Sequence, residues 1–212
     1  METLLPPRLE ASERVQALCD IAQDALYLLP PQVEYHNVEH TQNVLARSMY
    51  YAAQANLPQH EKYVLALAAA FHDVGFLQGP EQHELRSAQH AARILSDYHV
   101  CPEMTQEVQH AILATQMPQR PVTLLEQILC DADLDNLGTE EFMERGARLR
   151  RELAHYSGVL IPPRDWCERS LKLLREHTYW TSYAREERDA QKQRNAAGLE
   201  RMMTYFVGGG VS

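Results

Sequence analysis

The sequence predicts an all-α fold, and three observations carry that expectation. Apolar residues recur at helical spacing along most of the chain. No stretch alternates like a strand between hairpin turns, and Pro, Gly or Asn interrupts the periodic segments where helices would begin or end. These breaks divide the chain into about eight or nine helices. A length of 212 residues suffices for one domain with a substantial core. Residues 1–207 are therefore expected to form a single helical domain, with "GGGVS" at 208–212 as a disordered tail.

The first helix is expected over Leu9–Leu28, where Val15, Leu18, Ala22 and Ala25/Leu26 share a face and Pro30-Pro31 ends the run. A second starts with Asn37 as N-cap and runs to about Ala55. The third, Glu61 to Asp73, is strongly apolar through "YVLALAAAFHD", and Gly75 is expected to close it in a left-handed turn. "ELRSAQHAARILSDY", "EMTQEVQHAILAT" and "VTLLEQILCDADLDNL" continue the helical pattern. After Gly138, Thr139 is expected to cap "EEFMERGARLRRELAHY". Ile161-Pro162-Pro163 breaks the chain, "RDWCERSLKLLREH" follows, and a charged helix runs from about Ser182 to Phe206.

Charge and composition exclude several partners. The net charge is -9 and there is no basic run, so long nucleic acid, whose binding needs Lys and Arg against phosphate, is not an expected ligand. The longest apolar run, Val64 to Phe71, falls far short of the roughly 20 residues a membrane helix needs. The opening "METLLPPRLE" lacks a basic segment, an apolar stretch and a cleavage site, so no secretory signal is visible. Cys19, Cys101, Cys130 and Cys167 are scattered without a C-x-x-C and read as reduced, mostly buried thiols of a cytoplasmic chain. A small anionic substrate remains compatible with the acidic balance, because a bound cation supplies positive charge locally.

Four separated motifs carry chemistry. His36 and His40 stand one turn apart in "YHNVEHTQNV"; His72-Asp73 ends the most apolar helix; His83-Glu84 opens "HELRSAQHA"; and Asp131, Asp133 and Asp135 punctuate "CDADLDNLG". An isolated histidine on an amphipathic helix is ordinarily a surface or core residue. His72-Asp73 is harder to dismiss. It closes a run so apolar that both helix faces should be buried, and burying a carboxylate beside an imidazole without a partner costs several kcal/mol. A divalent metal is the natural partner, since imidazole with carboxylate suits Mn, Fe, Co, Ni or Zn and carboxylate with water suits Mg. With Asn37 as N-cap, His40 falls in the first helical turn and shares its face with Val44, Ser48 and Tyr51. His36 then lies just outside the helix, near the metal without being obliged to bind it. Asp131 and Asp133 flank the stripe of Leu125, Ile128, Leu129 and Ala132 on opposite sides, each by about 100°, so periodicity does not choose between them.

The order H…HD…D on helices resembles the HD-domain superfamily of metal-dependent phosphohydrolases, over about Tyr35 to Gly138 by motif. The resemblance implies that His40, His72, Asp73 and Asp133 bind metal, and so selects Asp133 over Asp131. "ATQ" near Thr115, "DADLDNLG" and the acidic segment Glu84-Leu85-Arg86-Ser87-Ala88 are similar to the bacterial predicted HD phosphohydrolase branch. "HNVEH" resembles the H-N-x-x-H signature of the cyclic-nucleotide phosphodiesterases, which implies His36 as general acid. Those enzymes usually carry another histidine shortly after the HD pair, where this chain has Gly75-Phe76, so the likeness supports the acid and not the substrate. Some HD proteins hold a second metal through two further histidines. His83 and His110 fall in the corresponding intervals, His110 one turn before Ala114, the place the pattern favours. Glu84 is a candidate base, orienting a water or a ligand histidine.

The implied reaction is hydrolysis of a phosphoester or phosphoanhydride of a nucleotide or other small phosphate. The metal supplies an activated water and protonated His36 gives its proton to the leaving oxygen. Lys172, Arg188, Lys192 and Arg194 read as a solvated helix face, with steering of phosphate as the functional alternative. Two rival readings stand beside hydrolysis: an HD-fold di-iron oxygenase, which needs the extra ligands, and a non-catalytic nucleotide-binding or signalling module whose charged last helix docks a partner. A homodimer is the candidate assembly. The stringent-response alarmone hydrolases carry acidic residues right after the HD pair, which "VGF" does not provide.

Overall fold

A computed structural model describes residues 10–208, with nine α-helices and no strand among them. The expected start at Leu9 and residues 209–212 of the expected tail lie outside the described residues, and Gly208 is the last residue of the final helix. Contacts gather the chain into two compact units. Among the described residues, one comprises 10–30 and 36–133, and the other comprises 31–35 and 134–208.

The first unit holds α1 (Ala11–Leu26), α2 (Val38–Gln54), α3 (Gln59–Phe71), α4 (His83–Asp97), α5 (Pro102–Ala114) and α6 (Leu124–Asp133), with a 3-10 turn at Val74–Gln78. Its centre is α3, against which α1, α2, α4, α5 and α6 all pack. Every residue from Val64 to Phe71 is buried, as an apolar run without a polar face requires. The neighbours each turn one stripe inward: Leu18, Ala22 and Leu26 from α1, Val44, Ser48 and Tyr51 from α2, Ala88, Ala91 and Leu95 from α4. Cys19, Cys130 and Cys167 are buried free thiols, whereas Cys101 is exposed.

Gly75 does not close α3 in a left-handed conformation. His72 is already the C-cap, and Gly75 sits inside the 3-10 turn. A glycine is needed for a different reason. A Cβ there would lie 2.1 Å from the His83 carbonyl oxygen, so only a bare backbone can approach α4 this closely. The contact is bonded: Gly75 N–H donates to Ser87 Oγ at 2.8 Å, and the Arg86 guanidinium donates to the carbonyls of Gly75 and Gly79.

The second unit contains a 3-10 turn (Asp135–Gly138), α7 (Phe142–Ser157), α8 (Pro163–Glu176) and α9 (Ser182–Gly208) around Leu137, Phe142, Cys167, Leu174 and Leu199. Thr139 does not cap α7, whose N-cap is Glu141; its hydroxyl instead donates to the Asn136 carbonyl and fastens the 3-10 turn. α7 ends on Gly158 at φ 72°, a left-handed C-cap. The basic residues divide. Lys172 and Arg194 are exposed, as a solvated face demands. Arg188 Nε donates to Asp135 Oδ1 at 2.8 Å, and the buried Lys192 ammonium donates to the His177 carbonyl at 2.9 Å while lying 4.8 Å from the Tyr179 ring centre. Both act as internal fasteners of this unit because their partners are backbone or carboxylate groups that burial would otherwise strand.

Candidate metal centre

The centre lies wholly within the first unit, and each donor is fixed by a local feature of the sequence. Asn37 caps α2 as expected, its Oδ1 accepting from the His40 backbone N–H at 3.1 Å. This sets the first turn and faces His40 inward with Val44, Ser48 and Tyr51. His72 caps the other end of a helix: it is the last residue of α3 with helical torsions, while Asp73 has left the helix at φ -109°, ψ 3°. That break removes the roughly 100° divergence of adjacent helical side chains, so ring and carboxylate meet. Asp133 is the final residue of α6.

The donor atoms crowd around one point. His40 Nε2 and His72 Nε2 are 3.2 Å apart. Asp73 Oδ2 lies 3.3 Å from the first and 3.1 Å from the second, and Asp133 Oδ1 lies 3.2 and 3.6 Å from them. Ligand atoms bound at about 2.1 Å to one cation sit about 3.0–3.4 Å from one another in octahedral or tetrahedral geometry. Four of the five spacings fall in that range, and the His72–Asp133 separation of 3.6 Å is slightly wider. His72 Nδ1 donates to the Ala69 carbonyl at 2.8 Å, which fixes the tautomer and leaves Nε2 as an unprotonated donor for a cation. Asp73 Oδ2 is buried with no aligned hydrogen bond despite its near neighbours, as suits an oxygen directed at an ion. One atom each from His40, His72 and Asp133 falls within a 4.8 Å sphere of mutual distance, a set able to hold a metal.

The field of the cluster favours positive charge. Burial pushes His40 and His72 toward the neutral form, yet Asp133 and Asp73 outweigh it, raising both imidazoles and His72 well above its ordinary value. Burial likewise opposes ionisation of Asp73 and Asp133, but the two histidines hold both carboxyls below the usual aspartate range. A divalent cation answers the same field.

The remaining candidates separate by position. His36 stands in the bend before Asn37, its ring centre 5.8 Å from that of His40 and stacked on Phe76 at 4.0 Å. His83 Nε2 lies 3.5 Å from Asp73 Oδ1, the second oxygen of that carboxylate, and its Nδ1 is 3.0 Å from the Pro80 carbonyl. The buried Glu84 places Oε2 3.5 Å from His83 Nδ1. The structure does not bring His110 to this group. α5 exposes it in a separate recess with Glu61, Glu107 and Thr123–Glu126, because the inward stripe of α5 is Val108, Ala111 and Ile112. Asp131 is fully buried, and Asp135 pairs with Arg188 in the other unit. The sequence reading missed Phe76 as part of the site. Its signal was an aromatic directly after "HDVG", where the resembled enzymes would have a histidine.

The chain thus has an all-helical unit whose largely buried His/Asp cluster is fit to hold a cation. Residues 37–136 match the HD domain, and the protein carries an HD domain over that span. Its fold is shared by a predicted HD superfamily hydrolase from an uncultured Thermotogales bacterium, at 17% identity, TM-score 0.60, 93% of this chain and 99% of the other. It is shared as well by YpgQ of Bacillus subtilis, solved in complex with ADP, at 20% identity, TM-score 0.63, 90% of this chain and 95% of the other. No curated protein matches the sequence.

Proposed function

We propose that the protein is a metal-dependent phosphohydrolase acting on a phosphoester or phosphoanhydride of a nucleotide or another small phosphate. The observation that carries this reading is the convergence of His40, His72, Asp73 and Asp133 donor atoms at 3.1–3.6 Å, with an additional imidazole, His36, one ring away from His40. These four residues would hold the cation. When bound, it supplies Lewis acidity that offsets phosphoryl charge and lowers the pKa of water.

The chain's own groups account for the rest. His36 lies outside the donor set and holds the proton destined for the leaving oxygen, a role suited to an imidazole at neutral pH. His83 and Glu84 line the other side of Asp73, where the carboxylate orients the imidazole. A nucleotide is favoured among small phosphates by the ADP complex of a protein sharing the fold. With a net charge of -9, a bound cation would supply local positive charge for an anionic substrate.

The test is elemental analysis of protein purified without chelator, followed by assay on cyclic, mono-, di- and triphosphate nucleotides and a generic phosphodiester. Bound divalent metal and chelator-sensitive release of phosphate or nucleoside are expected. Tight nucleotide binding without turnover on any of them would replace this reading with a non-catalytic module. A second cation is favoured by one observation, the 3.5 Å approach of His83 Nε2 to Asp73 Oδ1. Two irons per chain with substrate-dependent oxygen uptake would move the assignment to a di-iron oxygenase.

A further inference from the structure

Phe76 is a buried aromatic ring set directly beside the metal cluster. It lies between two imidazoles: His36 stacks on it with ring centres 4.0 Å apart and planes inclined by 14°, and His83 meets it at 4.2 Å and 44°. The two histidines are themselves 5.9 Å apart. Phe76 is 4% exposed, so its ring is held on all sides. The backbone beneath it is held too. Gly75 abuts the His83 carbonyl and donates to Ser87, while Phe76 N–H donates to the Asp73 carbonyl at 3.0 Å. The ring is therefore carried by the same short turn that begins at the HD pair and is bolted to the helix that begins with His83.

His36, by contrast, precedes α2 in a bend, where backbone alone leaves the ring several rotamers. We propose that Phe76 is a positioning residue: it sets the orientation of the His36 and His83 rings relative to the donor cluster. The catalytic consequence rests on the reading of His36 as proton donor. Offset and tilted ring contacts of this kind have defined geometry, and a general acid misplaced by about 1 Å loses about a hundredfold in rate. A buried aliphatic residue would fill the volume without fixing either plane. This gives "HDVGF" a second function beside supplying two ligands, and it explains why an aromatic, not merely an apolar, residue follows Gly75.

The experiment compares Phe76→Leu and Phe76→Tyr in the metal-loaded enzyme, alone and with His36→Ala. Phe76→Leu is expected to retain metal and lower kcat by about tenfold or more with KM within about twofold. Phe76→Tyr restores the rate. In the His36→Ala background Phe76→Leu costs nothing further, because it acts through that ring. Equal losses in both backgrounds, or no loss, overturn the proposal. The ring-proton resonances of His36 and His83 give a readout without turnover. Stacking on Phe76 displaces them upfield of the exposed His110, and Phe76→Leu removes that displacement while Phe76→Tyr keeps it. If the wild type hydrolyses no phosphate, the proposed function falls, and unchanged resonances in Phe76→Leu would separately sink the positioning role. Should Phe76→Leu fail to fold, Phe76→Met carries the same comparisons.

Discussion

The Nε2 atoms of His40 and His72 face each other at 3.2 Å inside the first helical unit. His72 Nδ1 lies 2.8 Å from the Ala69 carbonyl, which can only accept, so that nitrogen bears the proton and Nε2 presents a lone pair. That lone pair, with His40 Nε2 and the carboxylate oxygens of Asp73 and Asp133 crowded beside it, is best satisfied by positive charge at the centre of the cluster. A proton or a metal ion can provide it, and the two compete.

Metal should therefore stabilise the folded chain. At a hundredfold excess over Kd, a divalent ion is expected to add about 2.7 kcal/mol. Thermal unfolding with chelator, and again after adding Mn, Co or Zn, measures the gain. His72→Ala and Asp133→Asn should lose both the bound metal and the response, and a full response in both variants would exclude this cluster as the site.

His36→Ala is expected to lower kcat by about a hundredfold or more while leaving metal content unchanged. A substrate with a leaving group that needs no protonation should recover most of the loss. Metal lost in this variant would make His36 a ligand and remove it from the acid role.

The chelator-treated protein should show a pH dependence with a worked sign. The imidazoles of His40 and His72 are raised above the ordinary 6.5, so their contribution to stability is complete below 6.5 and is lost as pH rises through the folded values. Asp73 and Asp133 are lowered below 3.8, so their contribution is complete above 3.8 and is lost as pH falls through the folded values. From this cluster alone, stability is fullest between those two values. Metal affinity runs the other way, climbing with pH as the imidazoles release protons. Denaturant titrations of the chelated protein and isothermal metal titrations across the same pH series check both slopes. Parallel slopes would refute the competition.

Gly75→Ala should destabilise by about 1–3 kcal/mol, the usual cost of forcing atoms into a packed contact. The new methyl would sit 2.1 Å from the His83 carbonyl oxygen. Urea unfolding gives the number. A neutral result would mean that the turn and α4 separate easily, and His83 would then be expected to drift from Asp73.

Local rules made much of this legible in the sequence. Asn37 as N-cap, the inward stripe of α2, the fully buried α3 and the start of α9 at Ser182 all follow from neighbouring residues. What escaped depends on contacts between distant segments. Arg188 and Lys192 read as solvated because their partners, Asp135 and the His177 carbonyl, lie far along the chain. Gly75 suggested a helix stop, yet its smallness serves an approach to α4. His110 sat in a suitable interval, but the helical phase of α5 turns it outward. Asp131 and Asp133 were symmetric about the apolar stripe, and only the end of α6 at Asp133 distinguishes them.

The four donors come from the start of α2, the junction after α3 and the last residue of α6. A chain emerging from the ribosome cannot assemble the set until Asp133 has been made, so an ion held by all four would wait on the sixth helix. On the proposed reading, a cation held by all four donors would mark only those molecules whose first unit is complete.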